Sequence, residues 1–293
     1  MGFYMKKVVI LGCENSHANS FLDFIRDVEK YKDVEVVGVY SDDSEAAAKL
    51  HEKYGVPVME DYKDAVGAVD GVIVTARHGA NHYKYTSPYI ASGVPMFIDK
   101  PITVCGCEAV KFMRECREAG VKITGGSCCK HDLSVMEMKK EREEDIGGKT
   151  LSGIVRAPIS MDNPYGGFYF YSQHLVEMVS EIYGRYPKSV RAFVKGDNIS
   201  VVFRYEEYDV LGVFTSGNYN YHIVRCSQDD TKAMKCNISR PCFLAEFDEF
   251  YEILSGAEQR ISYDDFIAPV FVLNAINESI ETDKGVDVKE FKV

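Results

Sequence analysis

The sequence predicts an α/β fold: an N-terminal unit on a parallel, doubly wound sheet, then an α+β unit on a largely antiparallel one. From residue 6 to about 124, short apolar runs alternate with amphipathic stretches at helical spacing, the pattern of successive βαβ units. Beyond them, five β-rich runs follow one another with only turn residues between. The chain has 293 residues and is 46% hydrophobic, enough for two domains with cores of their own. The expected division is 1–124 and 125–293.

"KKVVILG" reads as a buried strand, and Phe21, Leu22, Ile25 and Val28 form the apolar stripe of the helix after it. "VEVVGVYS" is the second strand, followed by the helix "SEAAAKLHEKYG", which Gly55 can terminate. "GVIVTA" is a third strand, and "NHYKYTSPYIASG" is helical despite Pro88. "PMFID" gives a fourth strand running into Lys100-Pro101. "CEAVKFMRECREAG" is a helix with Ala109, Phe112, Met113 and Cys116 on one side, and "VKITGG" is the last strand of this unit. In the second half a helix runs from Leu133 to Glu144 and breaks at Gly147-Gly148. The strand "LSGIVRAPIS" and a helix around "HLVEMVSEIYG" come next. The five strands are "SVRAFVKG", "ISVVFRY", "YDVLGVFTSG", "YHIVRCS" and "KAMKCNI", and two helices, "LAEFDEFYEILSG" and "YDDFIAPVFVLNAINESIETD", close the chain.

A formal net charge of −11 without a long basic run disfavours a phosphate backbone as partner, so nucleic-acid binding is not expected. No apolar run approaches the roughly 18 residues a membrane helix needs. The first strand begins almost at once, which leaves no room for a signal peptide, and a cytoplasmic protein is expected. The nine cysteines are scattered at irregular spacing and read as buried thiols. Cys105-x-Cys107 and Cys128-Cys129 lack the two-residue gap of a zinc knuckle, so no metal site is expected.

The strand–turn–helix "VVILGCENSHANSFLDFI" is the opening of a dinucleotide-binding unit, where Gly-x-Gly-x-x-Gly is expected. Only the first glycine, Gly12, is there; Glu14 and His17 stand in place of the others. Glu14 carries charge of the wrong sign for a pyrophosphate, at a cost of roughly 4 kcal/mol for a like-charge contact at about 4 Å and a dielectric near 20. Asn15 and Ser16 still offer helix-capping groups and amides, and a protonated His17 would partly offset Glu14. After the second strand, Ser41 occupies the position of the acid that holds ribose hydroxyls, with Asp42 one step later. No arginine follows to take a 2'-phosphate, so NAD is favoured over NADP.

The order of elements and four local motifs resemble the Gfo/Idh/MocA family of nicotinamide-dependent oxidoreductases over essentially the whole chain. The motifs are "TARHGANH", "IDKP" at 98–101, "GGFYFYSQHLVEMVSEIYG" and the ending "ISYDDFIAPVFVLNAINESIETDKGVDV". The resemblance implies a Rossmann domain, a C-terminal domain whose open sheet often packs against another subunit, and hydride transfer between NAD(P) and a hydroxyl carbon of a sugar or polyol. It places Lys100 beside the nicotinamide and the reacting oxygen, where a cation stabilises developing alkoxide charge. Asp99 stands for the usual Glu of that motif. His174 matches the family's histidine, suited to taking the hydroxyl proton, and Glu177 at i+3 is placed to orient its ring. Phe170 replaces that motif's first Asp, and Ser172 its Gly. Thr75 and His82, in "TARHGANH", fall beside the cofactor loop. The residues also admit other readings: Lys100-Pro101 as a surface turn, His174 as a structural histidine, Arg77 and His78 as exposed loop side chains, and Tyr165, Tyr169 and Tyr171 as core. Two further functions stay open on the same scaffold, a binding or regulatory protein without redox turnover and acid–base chemistry through His174 and Glu177.

Overall fold

A computed structural model of the chain describes residues 4–289 and 291–293. Five parallel strands form the first sheet: β1 (Lys6–Leu11), β2 (Val34–Tyr40), β3 (Gly71–Val74), β4 (Met96–Asp99) and β5 (Ile123–Gly126), in the order β2-β1-β3-β4-β5. Their residues are almost continuously buried, as expected for strands covered on both faces. The crossovers are α1 (Ser16–Asp27), α2 (Ser44–Tyr54), α3 (Ala80–Ile90) and α4 (Gly106–Glu118). Asn15 caps α1 and Asp43 caps α2, each through a side-chain oxygen, and Gly55 ends α2 in the left-handed conformation. Pro88 is accommodated in the last turn of α3, where the Ser87 hydroxyl donates to the Lys84 carbonyl that the proline leaves free.

The second sheet has seven strands: β6 (Thr150–Ile159), β7 (Ser189–Lys195), β8 (Asn198–Arg204), β9 (Asp209–Ser216), β10 (Tyr221–Ser227), β11 (Thr231–Cys236) and β12 (Gly285–Asp287). Their order is β11-β10-β6-β9-β8-β7-β12, antiparallel except for the central β6–β9 pair. One face is packed by α5 (Leu133–Glu143), α6 (Tyr169–Tyr183) and α8 (Tyr263–Thr282) through Val155, Val201, Phe203 and Phe214. Leu151, Ile154 and Phe193 remain exposed.

Two features differ from the sequence expectation. Helix α6 begins at Tyr169, five residues before His174, because Gly166 and Gly167 turn the chain with positive φ and Asn163 holds the loop through bonds to Ser160 and Gly167. The tail forms β12, which pairs with β7 and becomes the edge of the sheet. Helix α7 (Arg240–Leu254) returns to the first sheet, where Phe247, Phe250 and Ile253 pack with Val8, Ile10, Phe21 and Phe97. The start of α8 does the same through Phe266, Ile267 and Val270. The N-terminal unit thus takes part of its core from the end of the chain, and no linker separates the two.

Gly12 has φ +71°, and a Cβ placed on it would lie 2.4 Å from the Ala76 Cα. Gly12→Ala therefore strains the backbone and overpacks the contact between β1 and β3. A loss of about 2–4 kcal/mol is expected, measured as a lower urea midpoint at unchanged m-value.

Candidate cofactor crevice and active site

The sheet order reverses between β1 and β3, and ligands of open α/β sheets bind outside the carboxyl ends of such a pair. Gly12 closes the turn there, its carbonyl accepting from the Thr75 hydroxyl at 3.0 Å. Thr75 is wholly buried, so it braces the crevice wall. Glu14 lies across the crevice mouth. Its carboxylate accepts from the Ser41 hydroxyl at 2.7 Å and from the Arg77 backbone N–H at 2.9 Å, spanning the ends of β2 and β3. Both donors are therefore engaged by the protein's own anion. Asp42 is exposed and accepts from Tyr40 Oη at 2.7 Å and Lys84 Nζ at 3.3 Å. Ser16, at the start of α1, is exposed, its hydroxyl donating to Asn15 Oδ1 at 3.3 Å. A groove of about 350 Å³ runs from Cys13 and Glu14 along α2 past Asp43, Lys49 and Lys53 to Arg77.

Three residues expected to contact the cofactor face inward instead. Asp99 is wholly buried: its carboxylate binds His17 Nδ1 at 2.5 Å, Asn15 Nδ2 at 3.0 Å and the Lys100 backbone N–H at 2.7 Å. Burial pushes its pKa up, but His17 and Lys100 outweigh that and hold the carboxyl below its ordinary value. His17 fills the space that a third glycine would leave, stacked among Phe21 and Phe243. His82 is buried with Nε2 2.8 Å from the Ala76 carbonyl and Nδ1 3.2 Å from that of Ile102; burial lowers its pKa against the pull of both, and the neutral ring donates to one of them. Sequence spacing places these side chains near the loop but not on which side of it.

At the end of β4, Lys100 is only 5% exposed and its peptide bond to Pro101 is cis. Its ammonium makes one long hydrogen bond, to the Phe170 carbonyl at 3.4 Å, and no other among the described residues. It lies 4.7 Å from the centroid of the Phe170 ring and 5.5 Å from that of Tyr171. Phe170 thus supplies a carbonyl and a π-face where the family motif has a carboxylate. The ammonium keeps donors free for another acceptor.

His174 also packs against Tyr171, with ring centroids 5.7 Å apart. Its Nδ1 meets Ser127 Oγ at 2.7 Å and Cys129 Sγ at 3.4 Å. Glu177 does not orient this ring. It accepts from Gln173 Nε2 at 2.9 Å and abuts Gly126, and burial raises its pKa against the pull of Lys130 and Arg185. The orienting group is Ser127, just past β5, where the sequence carries no motif to mark it. Arg77 donates to Tyr165 Oη at 2.8 Å, tying the β3 loop to the loop before α6. A separate cavity of about 470 Å³ lies beneath α5, α6 and α7, but its walls are mutually paired charges such as Lys139–Glu181 and Arg260–Glu252.

Beneath the crevice, Glu246 of α7 is 1% exposed and neither carboxylate oxygen has a hydrogen-bond partner among the described residues. Burial, with Asp99 adding to it, pushes this carboxyl well above its ordinary pKa. An unpaired buried polar group costs about 1–3 kcal/mol, so the side chain is held there at a penalty.

Residues 6–127 match the model of an oxidoreductase family with an NAD-binding Rossmann fold, GFO_IDH_MocA. A sequence comparison with curated proteins gives no match. Among solved structures, the chain resembles scyllo-inositol dehydrogenase from Lactobacillus casei with bound NAD(H) and scyllo-inositol, at a TM-score of 0.83 and 15% identity over 97% of this chain and 99% of that one. GenD2 from gentamicin A biosynthesis, in complex with NAD, gives 0.85 and 14% over 99% and 98%. Myo-inositol dehydrogenase from Corynebacterium glutamicum gives 0.81 and 15% over 97% and 99%. Residues 6–127 thus match the NAD-binding Rossmann unit of that oxidoreductase family's model, and the chain as a whole shares the two-domain fold of these solved structures.

Proposed function

We propose that the chain is an NAD(H)-dependent oxidoreductase acting on a secondary hydroxyl of a cyclitol or other sugar-like polyol. The observation that carries this is Lys100, a nearly buried ammonium with one long hydrogen bond, set at a strand end and packed, like His174, against the Tyr171 ring. The crevice fits a dinucleotide in its scaffold: Gly12 turns the chain tightly at φ +71° against Ala76 at the end of β1, and α1 opens there with its first amides. Glu14 must then rotate out, which its partial exposure allows. When bound, the nicotinamide exchanges a hydride with the hydroxyl-bearing carbon.

The chain's own part is to bind, orient and move the proton. Lys100 donates to the substrate oxygen and stabilises it as it becomes alkoxide-like. Ser127 Oγ, accepting from His174 Nδ1–H, leaves Nε2 to take the hydroxyl proton. The rings of Phe170 and Tyr171 keep water from the ammonium. The exposed apolar side chains of the second sheet support pairing with another copy in a cytoplasmic homo-oligomer.

The test is NAD⁺ reduction followed at 340 nm over a panel of inositols and hexoses. Turnover is expected with at least one cyclitol, and His174→Asn is expected to lower kcat by about 10²–10⁴-fold with a smaller change in KM. Unchanged kcat in that variant removes His174 from the proton path.

A further inference from the structure

His17, Cys128 and Glu246 each turn one ligand atom toward a common point, and these atoms all lie within 4.8 Å of one another. They come from the start of α1, the short 3-10 turn after β5 and the middle of α7, and all are at least 97% buried. We propose that they form a site for one borderline-soft divalent cation of the zinc type, beneath the crevice.

The donor set is imidazole, thiolate and carboxylate, the mixture zinc takes in three-ligand sites that keep a fourth position open. A tetrahedral ion with bonds of about 2.0–2.3 Å sets its ligand atoms about 3.3–3.8 Å apart, so the cluster closes on an ion by small side-chain movements. Asp99 binds His17 Nδ1 at 2.5 Å, the carboxylate–histidine arrangement that fixes the tautomer and frees Nε2 as ligand. Asn15 Nδ2 holds the same Asp99 oxygen at 3.0 Å.

Glu246 supplies an independent sign. Both its oxygens are buried without a hydrogen-bond partner, and no ion pair reaches it among the described residues. Lys130, the cation nearest in charge terms, donates to the Gly125 carbonyl instead. A dication would offset the charges of the Glu246 and Cys128 anions. The inference also accounts for His17, which the dinucleotide loop has no use for, and it holds whether or not the crevice binds NAD.

The probe is Co²⁺ added to chelator-treated full-length protein. One cobalt per chain is expected, with a thiolate-to-cobalt charge-transfer band in the near ultraviolet and the strong visible bands of a tetrahedral site. Cys128→Ala is expected to abolish the charge-transfer band, and Cys116→Ala, a buried thiol in another core cluster, to leave it. Glu246→Gln keeps the side chain's shape and is expected to weaken Co²⁺ at least tenfold, which decides the matter should the cysteine variant not fold. Absence of cobalt uptake, a charge-transfer band that survives Cys128→Ala, or unchanged affinity in Glu246→Gln would each overturn the site.

Discussion

Glu14→Gly is expected to tighten NADH binding by between ten- and a thousandfold over the unaltered chain. The carboxylate lies across the crevice, accepting from Ser41 Oγ and the Arg77 N–H. A pyrophosphate arriving there meets a like charge and loses two donors. At about 4 Å and a dielectric near 20 the repulsion is roughly 4 kcal/mol, which is the upper end of the range. Glu14 is partly exposed, and solvent screening brings the lower end to about one decade. Glycine removes the charge and restores close backbone approach. Glu14→Gln separates the two effects, since it removes the charge and keeps the bulk. It is expected to recover part of the gain, more at low salt than at high. Equal affinities for all three proteins would mean that Glu14 does not face the cofactor at all.

Lys100→Met is expected to lower kcat by about 10²–10³-fold, the range for losing one preorganised donor to a developing oxyanion. Methionine keeps the unbranched stem in the space beside Phe170 and Tyr171, so the loss is of charge and donor rather than of packing. Thermal stability is expected to hold or rise, because the ammonium is nearly buried and poorly hydrogen-bonded in the free protein. Retained turnover in a folded Lys100→Met variant would leave the Lys100-Pro101 corner a structural turn.

Strand and helix identities were legible because buried parallel strands read as continuous apolar runs and the helices carry clear stripes. The start of α6 was not, since Gly166 and Gly167 set it through positive φ and nothing in the helix's own periodicity marks it. Lys100 and His174 could be placed at a strand end and on a helix from sequence, and the structure brings both against Tyr171. The partners could not be placed. Asp99 meets His17 across 82 residues and Ser127 meets His174 across 47, and pairs so distant leave no local pattern. For the same reason Glu177 passed for an orienting group: i+3 spacing puts it on the right face of α6, but Gln173 takes it. Glu246 carried no signal at all, because α7 reads as an ordinary amphipathic helix and only its return to the first sheet brings that carboxylate beside His17.

The central claim is that this crevice, altered loop included, still holds a nicotinamide dinucleotide. Titrating the unaltered chain with NADH and following the cofactor's own emission tests it most directly, since the chain has no tryptophan to overlap that signal. A saturable change that NAD⁺ competes away is the predicted result. No saturable change up to millimolar NADH would contradict the claim.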